Sequence, residues 1–446
     1  MAVVEVKRMG DIALVTIDHP PVNALSQAVR SGLSDAAKAL GADSAVKAVV
    51  IAGAGRCFSA GADITEFGGG PRKPSLYQVI HDIEALPKPV VAAMHGASLG
   101  GGFEVALGCH YRIADSKAKM GLPEVKIGLI PGAGGTQRLP RAIGVSAALD
   151  MIVSGNPIDA EAARKAGLVD RIAKGDLVED ALGYARELAN SGAKPRRLSE
   201  KPISMSGVAP DVFEKKRASL GRHPSGKVAP NACIDAVEAA TKLAFMEGMK
   251  RELELFMACY SSPEARALWH VFFAERAAAV IPDIGREVKP RSVESVGVIG
   301  AGTMGQGIAM SFANAGFPVT IVETAQDALD RGLAKMRDTY ESAAARGRMS
   351  PDEAKARFAR LTPSLSLDAL KDKDLIIEAV FENMKIKKEV FGKLDALAKK
   401  GAILATNTST LDVDEIALAT ARPGDVLGMH FFSPANIMRL LEVVRG

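Results

Sequence analysis

Residues 98–137 read SLGGGFEVALGCHYRIADSKAKMGLPEVKIGLIPGAGGTQ, and the rest of the first half of the chain is organised around them. The glycines at 100–102 let the backbone approach a ligand closely before the chain becomes helical. Unpaired N–H groups at the start of that helix would stabilise an oxygen that gathers negative charge. Glu104 in the first helical turns and Glu124 in the following loop are candidates for acid and base catalysis. The stretch therefore predicts a catalytic pocket at a glycine turn.

The segments that precede this stretch alternate apolar strands with helices. Residues 12–17, 46–52 and 88–94 read as strands, and residues 27–40 read as a helix. The third strand delivers the chain to the glycine turn. Strands that alternate with helices predict an α/β fold.

Three motifs together resemble the crotonase (enoyl-CoA hydratase/isomerase) superfamily. They are CFSAGADI at 57–64, HGASLGGGFEVAL at 95–107 and LPEVKIGLIPGAGGTQRL at 122–139. The resemblance implies a spiral of ββα repeats in which the N–H groups of Ala60 and Gly101 form an oxyanion hole for a thioester. It also implies that Glu104 and Glu124 hold one water between them. The expected reaction is hydration of trans-2-enoyl-CoA, with isomerisation of 3-enoyl-CoA as a weaker second activity.

Residues 191–290 differ in character from the segments before them. A basic stretch and a segment rich in Gly, Pro and Ser lead into helical patterns from residue 232 onward. The sequence SSPE at 261–264 predicts a helix start, and Trp269, Phe272 and Phe273 are expected to pack in a core. This part resembles the terminal helices of a crotonase unit followed by the linking helix of multifunctional fatty-acid oxidation enzymes. A simple spacer between two domains is the alternative.

A second α/β unit begins with the apolar strand VGVIG at 296–300. The glycine motif Gly300, Gly302 and Gly305 follows, with Met304 inside it, and then a helix at 306–315 and a strand that ends in Glu323. The glycines permit a tight turn against a pyrophosphate, and the acid can accept both ribose hydroxyls. Because an acid there repels a 2′-phosphate, the pattern predicts a Rossmann domain that binds NAD.

The remaining chain resembles the NAD-binding domain of 3-hydroxyacyl-CoA dehydrogenases. The matching motifs are DLIIEAVFENMKIK at 374–387, ATNTSTL at 405–411 and GMHFFSPANIMRLLEVV at 428–444. The resemblance implies that four residues lie near NAD, namely Val380, Glu382, Lys387 and Ser409. It also implies that His430 is the catalytic base and that Glu442 orients it. The family's enzymes continue into a helical domain, so we expect this chain to be a fragment of a longer protein.

Composition limits the class of protein further. The chain of 446 residues has 24% charged residues and a net charge of +4, which is too slight to argue for nucleic-acid binding. It has no apolar run near the roughly 18 residues of a membrane helix and no signal-peptide pattern, so we expect a cytoplasmic protein. The four cysteines have no metal-ligand spacing, and we expect no metal site.

These observations predict a type-1 multifunctional enzyme of fatty-acid β-oxidation. The expected architecture is α/β, with a crotonase ββα spiral at 1–190, crotonase C-terminal helices and a helical linker at 191–290, and a Rossmann NAD-binding domain at 293–446. Acyl-CoA substrates and NAD are the expected ligands, and a thiolase is a candidate partner. A crotonase-fold enzyme with different thioester chemistry is one alternative. A CoA- and nucleotide-binding subunit that scaffolds a larger complex is another.

Overall fold

The computed structural model describes residues 3–66, 72–221, 226–285 and 287–446. Its contacts divide the chain into two compact units, Met1–Pro282 and Asp283–Gly446. The helices after residue 191 up to residue 282 therefore belong to the first unit. Within the described residues, no helix is both long and apolar enough to cross a membrane.

The first unit contains nine strands and eleven helices among its described residues. The strands are β1 (Val4–Met9), β2 (Ile12–Ile17), β3 (Ala48–Gly53), β4 (Val90–Met94), β5 (Ala97–Leu99), β6 (Tyr111–Ala114), β7 (Lys119–Gly121), β8 (Ile158–Asp159) and β9 (Arg171–Ile172). The helices are α1 (Gln27–Ala42), α2 (Leu76–Glu84), α3 (Gly101–Gly108), α4 (Gly135–Ile143), α5 (Val145–Ser154), α6 (Ala160–Lys165), α7 (Leu177–Asn190), α8 (Val212–Ser219), α9 (Val228–Lys242), α10 (Phe245–Tyr260) and α11 (Pro263–Ala278).

Two sheets organise this unit. The larger has the order β1-β2-β3-β4-β6-β9 and is parallel apart from the hairpin of β1 and β2. The smaller has the order β5-β7-β8. Strand β3 is apolar along its length because both of its faces are covered: Val49 and Ile51 face the main core, whereas Val50 and Ala52 pack in the layer that contains α7. The predicted strands and the helix at 27–40 are confirmed.

Helix α11 starts as the sequence predicted. The Ser262 side chain accepts a hydrogen bond from the Ala265 N–H, and Pro263 occupies the first turn. Trp269 packs against the core and donates from its ring N–H to the Ile127 carbonyl oxygen. Phe273 is 42% exposed, so the prediction that it lies in the core is wrong. One helical stripe contacts the core, and Phe273 lies outside it.

The second unit is a Rossmann fold. Its strands are β10 (Val296–Ile299), β11 (Val319–Val322), β12 (Leu361–Ser364), β13 (Leu375–Glu378), β14 (Ile403–Thr406), β15 (Val426–Phe431) and β16 (Leu441–Val444). Its helices are α12 (Thr303–Asn314), α13 (Gln326–Ala345), α14 (Pro351–Phe358), α15 (Met384–Leu397) and α16 (Val413–Ala417). The sheet order is β12-β11-β10-β13-β14-β15-β16, and only the last pair is antiparallel. The chain reverses its direction of winding at β10, which is where such folds bind nucleotides.

Candidate active sites

The glycine turn of the first unit ends at the N-terminus of α3. Gly101 is the first residue of that helix, so its N–H lies ahead of the hydrogen bonds within the helix. A Cβ added at Gly61 would lie 3.5 Å from the Gly101 nitrogen and 3.0 Å from the Leu99 carbonyl oxygen. The space in front of the Gly101 N–H is therefore kept open by glycine at position 61.

The second backbone donor beside Gly101 differs from the one that the sequence predicted. The Ala60 N–H donates to the Val22 carbonyl oxygen at 3.0 Å, so the prediction of Ala60 as an oxyanion donor is wrong. The Ala62 nitrogen lies 3.3 Å from the position that a Cβ would take on Gly101. Among the described residues, no hydrogen bond is formed by the Ala62 N–H. Gly101 and Ala62 are thus the two donors that face one space.

Glu104 is held in place by a distant turn. Its side chain is only 3% exposed, and its Oε1 accepts the N–H groups of Ala133 and Gly135, each at 2.8 Å. A Cβ at Gly135 would lie 2.9 Å from that oxygen, which explains why glycine is needed there. Burial raises the pKa of Glu104, whereas the two N–H groups and the Arg138 guanidinium oppose that rise. Glu104 Oε2 accepts no hydrogen bond from the described residues.

Glu124 begins the short 3-10 helix Glu124–Ile127 and lies in the same pocket. Its Oε1 is 3.0 Å from the Cβ position of Gly100, and its buried Oε2 has no hydrogen-bond partner among the described residues. Burial raises the pKa of Glu124 well above its usual range, and the charges of Glu104 and Glu252 raise it further. The structure therefore brings the two predicted carboxylates together and gives them different surroundings.

A third buried carboxylate, Glu252 on α10, escaped the sequence analysis. Its side chain is fully buried and accepts the N–H groups of Gly134 at 2.7 Å and Thr136 at 3.1 Å, together with the Thr136 hydroxyl. A signal was present in the sequence, because Glu252 falls on the helical stripe that also contains Met249 and Phe256. A carboxylate in an otherwise apolar stripe is uncommon unless it has partners.

The glycine turn of the second unit fits a pyrophosphate. Gly300 follows β10 with a φ of 104°, and a Cβ at Gly305 would lie 1.8 Å from the Gly300 carbonyl oxygen. Gly302 caps α12, and a Cβ there would meet nothing within 4 Å. The turn therefore packs tightly on its inner side and is open on its outer side, where the helix N-terminus would face an anion. Met304 is half-buried in the first turn of α12.

Glu323 lies at the end of β11, next to this turn. Its Oε2 accepts the Ala301 N–H at 3.0 Å, and its Oε1 accepts the Thr324 N–H at 2.7 Å. Burial acts to raise the pKa of Glu323, but these backbone donors outweigh burial and lower it. The ionised carboxylate beside the glycine turn fits a ribose, so the site suits NAD as the sequence indicated.

Three of the residues predicted to lie near the cofactor meet in one hydrogen-bonded cluster. Glu382 Oε1 accepts the Thr408 hydroxyl at 2.7 Å and the Ser409 N–H at 2.9 Å. Lys387 Nζ lies 3.3 Å from Glu382 Oε2. Although burial acts to raise the pKa of Glu382, these hydrogen bonds and the lysine charge lower it to about 2. Val380 is half-buried just after β13.

Lys387 is enclosed by the protein, and its expected place near NAD stays a prediction. The side chain is 1% exposed, and Nζ donates to both carboxylate oxygens of Glu378 at 2.8 and 2.9 Å. Glu378 also accepts the Val380 N–H at 2.8 Å and the Thr406 hydroxyl at 2.7 Å. The sequence analysis missed Glu378, which could have been noticed as an acid inside a buried strand. Lys387 therefore lies between Glu378 and Glu382.

His430 and Glu442 meet across the antiparallel pair of β15 and β16. They are directly opposed in register, and His430 Nδ1 lies 2.8 Å from Glu442 Oε2. The next residue along β15, Phe431, donates its N–H to the Asn407 side-chain oxygen at 2.9 Å. A histidine held by a carboxylate at one ring nitrogen can accept a proton at the other.

Comparison with known proteins gives one family match in each of the two units. The family model of enoyl-CoA hydratase/isomerase matches residues 7–203. The family model of the NAD binding domain of 3-hydroxyacyl-CoA dehydrogenase matches residues 295–446. These two models cover the parts of the chain in which the two sites lie.

Three curated proteins illustrate the similarity over nearly the whole chain. The peroxisomal bifunctional enzyme of Danio rerio is 46% identical over 98% of this chain and 60% of its own length. The human enzyme of the same name is 44% identical over 97% and 60%, respectively. The Arabidopsis thaliana peroxisomal fatty acid beta-oxidation multifunctional protein MFP2 is 36% identical over 98% and 62%. The chain thus spans about three fifths of the length of these relatives.

Proposed function

We propose that this chain carries two successive steps of fatty-acid β-oxidation. The proposal is supported by two matches to family models: enoyl-CoA hydratase/isomerase at residues 7–203 and the NAD binding domain of 3-hydroxyacyl-CoA dehydrogenase at residues 295–446. The first unit hydrates trans-2-enoyl-CoA to 3-hydroxyacyl-CoA. The second unit binds NAD and takes part in oxidising that product to 3-ketoacyl-CoA. The observation that carries the first assignment is a pair of carboxylates next to two backbone donors: Glu104, which is buried, and Glu124, whose Oε2 is buried.

In the hydration step each residue has a separate task. The N–H groups of Gly101 and Ala62 bind the thioester oxygen and stabilise the negative charge that develops on it. Glu104, with Oε1 fixed by two N–H groups, presents Oε2 to a water and takes its proton as the water oxygen bonds to C3. Glu124, whose pKa is raised by burial and by the neighbouring carboxylates, delivers a proton to C2. The carboxyls return to their starting states by exchanging protons with solvent.

Isomerisation of 3-enoyl-CoA uses the same donors. A glutamate that exchanges a proton at C2 beside an oxyanion hole can also serve a shift of the double bond, since both reactions pass through an enolate. We therefore include isomerase activity in the proposal as the weaker of the two activities of the first unit.

In the oxidation step the chain's own residues handle the proton. NAD, when bound, accepts a hydride from the carbinol carbon. His430 takes the hydroxyl proton. Glu442, whose Oε2 lies 2.8 Å from His430 Nδ1, holds the imidazole and stabilises the charge that it gains. Gly300, Gly302 and Glu323 would hold the nucleotide. The chain spans about 60% of the length of its relatives, so the oxidation step has its own test: NADH should form when 3-hydroxybutyryl-CoA and NAD are supplied to the chain.

The decisive experiment for the first unit is Glu124→Gln. The variant should lose hydration of a short trans-2-enoyl-CoA by at least about a hundredfold, because the amide cannot give a proton to C2. Loss of enoyl absorbance measures the rate, and calorimetric titration with NAD checks that the second unit is intact. Glu161→Gln on the exposed first turn of α6 is the matched control and should keep full activity. Hydratase activity that survives Glu124→Gln refutes the assignment.

The main rival to this proposal is a scaffold subunit without activity. If the chain is such a scaffold, it should bind CoA and NAD but cause no loss of enoyl absorbance.

Two further expectations belong to the same proposal. Association with a thiolase stays a prediction, to be tested by co-purification. The expected cytoplasmic location also stays a prediction; the relatives are named peroxisomal, and microscopy of the tagged protein would distinguish the two compartments.

A further inference from the structure

Helix α10 presents one stripe of side chains to the turn that holds Glu104. Gly248, Glu252 and Phe256 follow one another at intervals of four residues and therefore share a face of the helix. A Cβ at Gly248 would lie 2.1 Å from the Gln137 side-chain oxygen, and a Cβ at Gly132 would lie 2.5 Å from the Phe256 ring. The helix and the turn are thus in close contact on both sides of Glu252.

The N–H groups of the turn are divided between two carboxylates. Those of Ala133 and Gly135 point to Glu104 Oε1, and those of Gly134 and Thr136 point to the two oxygens of Glu252. This alternation places the two acids on opposite sides of one short segment. Rotating any peptide of the segment away from Glu252 would also turn a neighbouring N–H away from Glu104.

The conformation of the turn leaves two of its buried N–H groups in need of acceptors, and Glu252 supplies them. Gly134 has a φ of 105°, and a Cβ there would lie 1.9 Å from a guanidinium nitrogen of Arg138. The segment leads into α4, whose first N–H groups have no partner within the helix. Glu252 supplies acceptors for two of these buried donors, at Gly134 and Thr136, and no side chain of the turn does so. Without it, the turn loses the contact that fixes its orientation.

The charged groups around the turn also affect one another's pKa. Burial raises the pKa of Glu252 to about 8, with the negative charge of Glu104 as a further cause, whereas Arg138 lowers it. Arg138 is itself paired with Glu84 at 2.6 Å. Glu124 is faced by Glu104 and Glu252, and the thiol of Cys233 on α9 is also close enough to interact with both Glu124 and Glu252.

From these contacts we propose that Glu252 is a positioning residue for hydration: it holds the turn at residues 133–136 so that two N–H groups fix Glu104 against the water. The inference rests on the proposed hydratase function of the first unit. Glu252 does not touch the reacting atoms, and its effect reaches them through the backbone.

The test compares Glu252→Gln with Glu254→Gln in the full chain. Glutamine keeps one acceptor and cannot serve both Gly134 and Thr136, so kcat should fall about 10- to 100-fold while KM changes less than about threefold. Above its own pKa of about 8, Glu252 carries a charge that raises the pKa of Glu124, so the substitution should move the alkaline limb of the kcat profile to lower pH. Glu254 lies on the same helix, is exposed, and pairs with Arg251 one turn earlier, so its variant should match wild type.

Hydrogen exchange gives a readout that does not depend on activity. Peptides covering residues 131–137 should exchange faster in Glu252→Gln than in wild type, and those of α7 should not. If Glu252→Gln does not fold, Thr136→Val is the second variant, because it removes only the hydroxyl partner of Glu252. It should also lower kcat with little change in KM, but by a smaller factor. Wild-type kcat, an unmoved pH profile and unchanged exchange in a folded variant would overturn the proposal. A wild-type chain without hydratase activity but with the exchange effect would instead refute the proposed function alone.

Discussion

Replacing Lys387 by Met should destabilise the second unit more than any change to a surface charge. The Lys387 ammonium donates to both oxygens of Glu378 at 2.8 and 2.9 Å, and both side chains are at most 1% exposed. Methionine is close to lysine in length and apolar, so the variant removes the charge while nearly preserving the packing. What remains is a buried carboxylate whose partners are the Val380 N–H and the Thr406 hydroxyl.

The expected loss follows from the cost of that unpaired charge. Breaking a buried ion pair by removing one partner costs about 3 to 5 kcal/mol in the free energy of unfolding. The double variant Glu378→Gln with Lys387→Met removes both charges and leaves an amide that can still bond to its neighbours, so it should lose only about 1 to 2 kcal/mol. The two substitutions should therefore be coupled by about 2 kcal/mol or more.

The chain offers a clean assay because its single tryptophan, Trp269, belongs to the first unit. Hydrogen exchange of peptides from β13 and α15 reports the free energy of opening of the second unit, and tryptophan fluorescence in urea reports that of the first. Lys387→Met should change the former and leave the latter unaltered. Lys388→Met is the matched control: this neighbouring lysine is exposed and pairs with Glu415 at the surface, so its loss should cost less than about 1 kcal/mol.

A result in which Lys387→Met and Lys388→Met cost the same would refute this reasoning. It would mean that the buried ion pair of Lys387 and Glu378 contributes no more to the free energy of unfolding than a surface ion pair does. Equal losses in the single and double variants would also contradict it, because the cost would then come from packing and not from an unpaired charge.

Three further predictions follow from the two sites. Gly305→Ala should abolish NAD binding in calorimetric titration, because the added Cβ would lie 1.8 Å from the Gly300 carbonyl oxygen and force the turn apart. The first unit should become less stable as pH rises from about 5 to 8: Glu252 has a pKa of about 8 when folded against an ordinary 4.5, so the folded state retains a proton that the unfolded chain releases. Urea unfolding followed by fluorescence should show a loss of up to about 4 kcal/mol in the free energy of unfolding over this range, and a flatter dependence in Glu252→Gln. Burial raises the pKa of Cys109 to about 12, so its thiol should resist alkylation until the chain unfolds, as mass spectrometry of labelled peptides would show.

The features that could be predicted from the sequence are those encoded by neighbouring residues. Apolar runs bounded by glycine predict the buried strands of both units, and the helix predicted at residues 306–315 is observed as α12, Thr303–Asn314. The carboxylates Glu104 and Glu124 stand in contiguous motifs, as do His430 and Glu442. In each case the motif indicates a residue, and the structure shows its surroundings.

The features that could not be predicted depend on contacts between distant parts of the chain. Ala60 and Ala62 flank the same glycine and differ only in which N–H is already bonded, and that depends on Val22 in another loop. Glu252 lies 116 residues from Thr136 in the sequence. Local patterns contain no information about which backbone donors such a residue will meet.

In both units a buried carboxylate accepts hydrogen bonds from the backbone of a loop next to the proposed site. A loop that must present backbone groups to a ligand cannot also bury those groups in regular structure, so it needs acceptors from elsewhere. Glu252 supplies them to the turn at residues 133–136, and Glu378 supplies one to Val380 beside the cofactor surface. Each acid is fully buried, and each sits at a position of a helix or strand that is otherwise apolar. A buried carboxylate is costly unless it is fully bonded. Its presence at such a position therefore points to a backbone segment whose geometry has to be held, which in both units is the segment next to the site of chemistry.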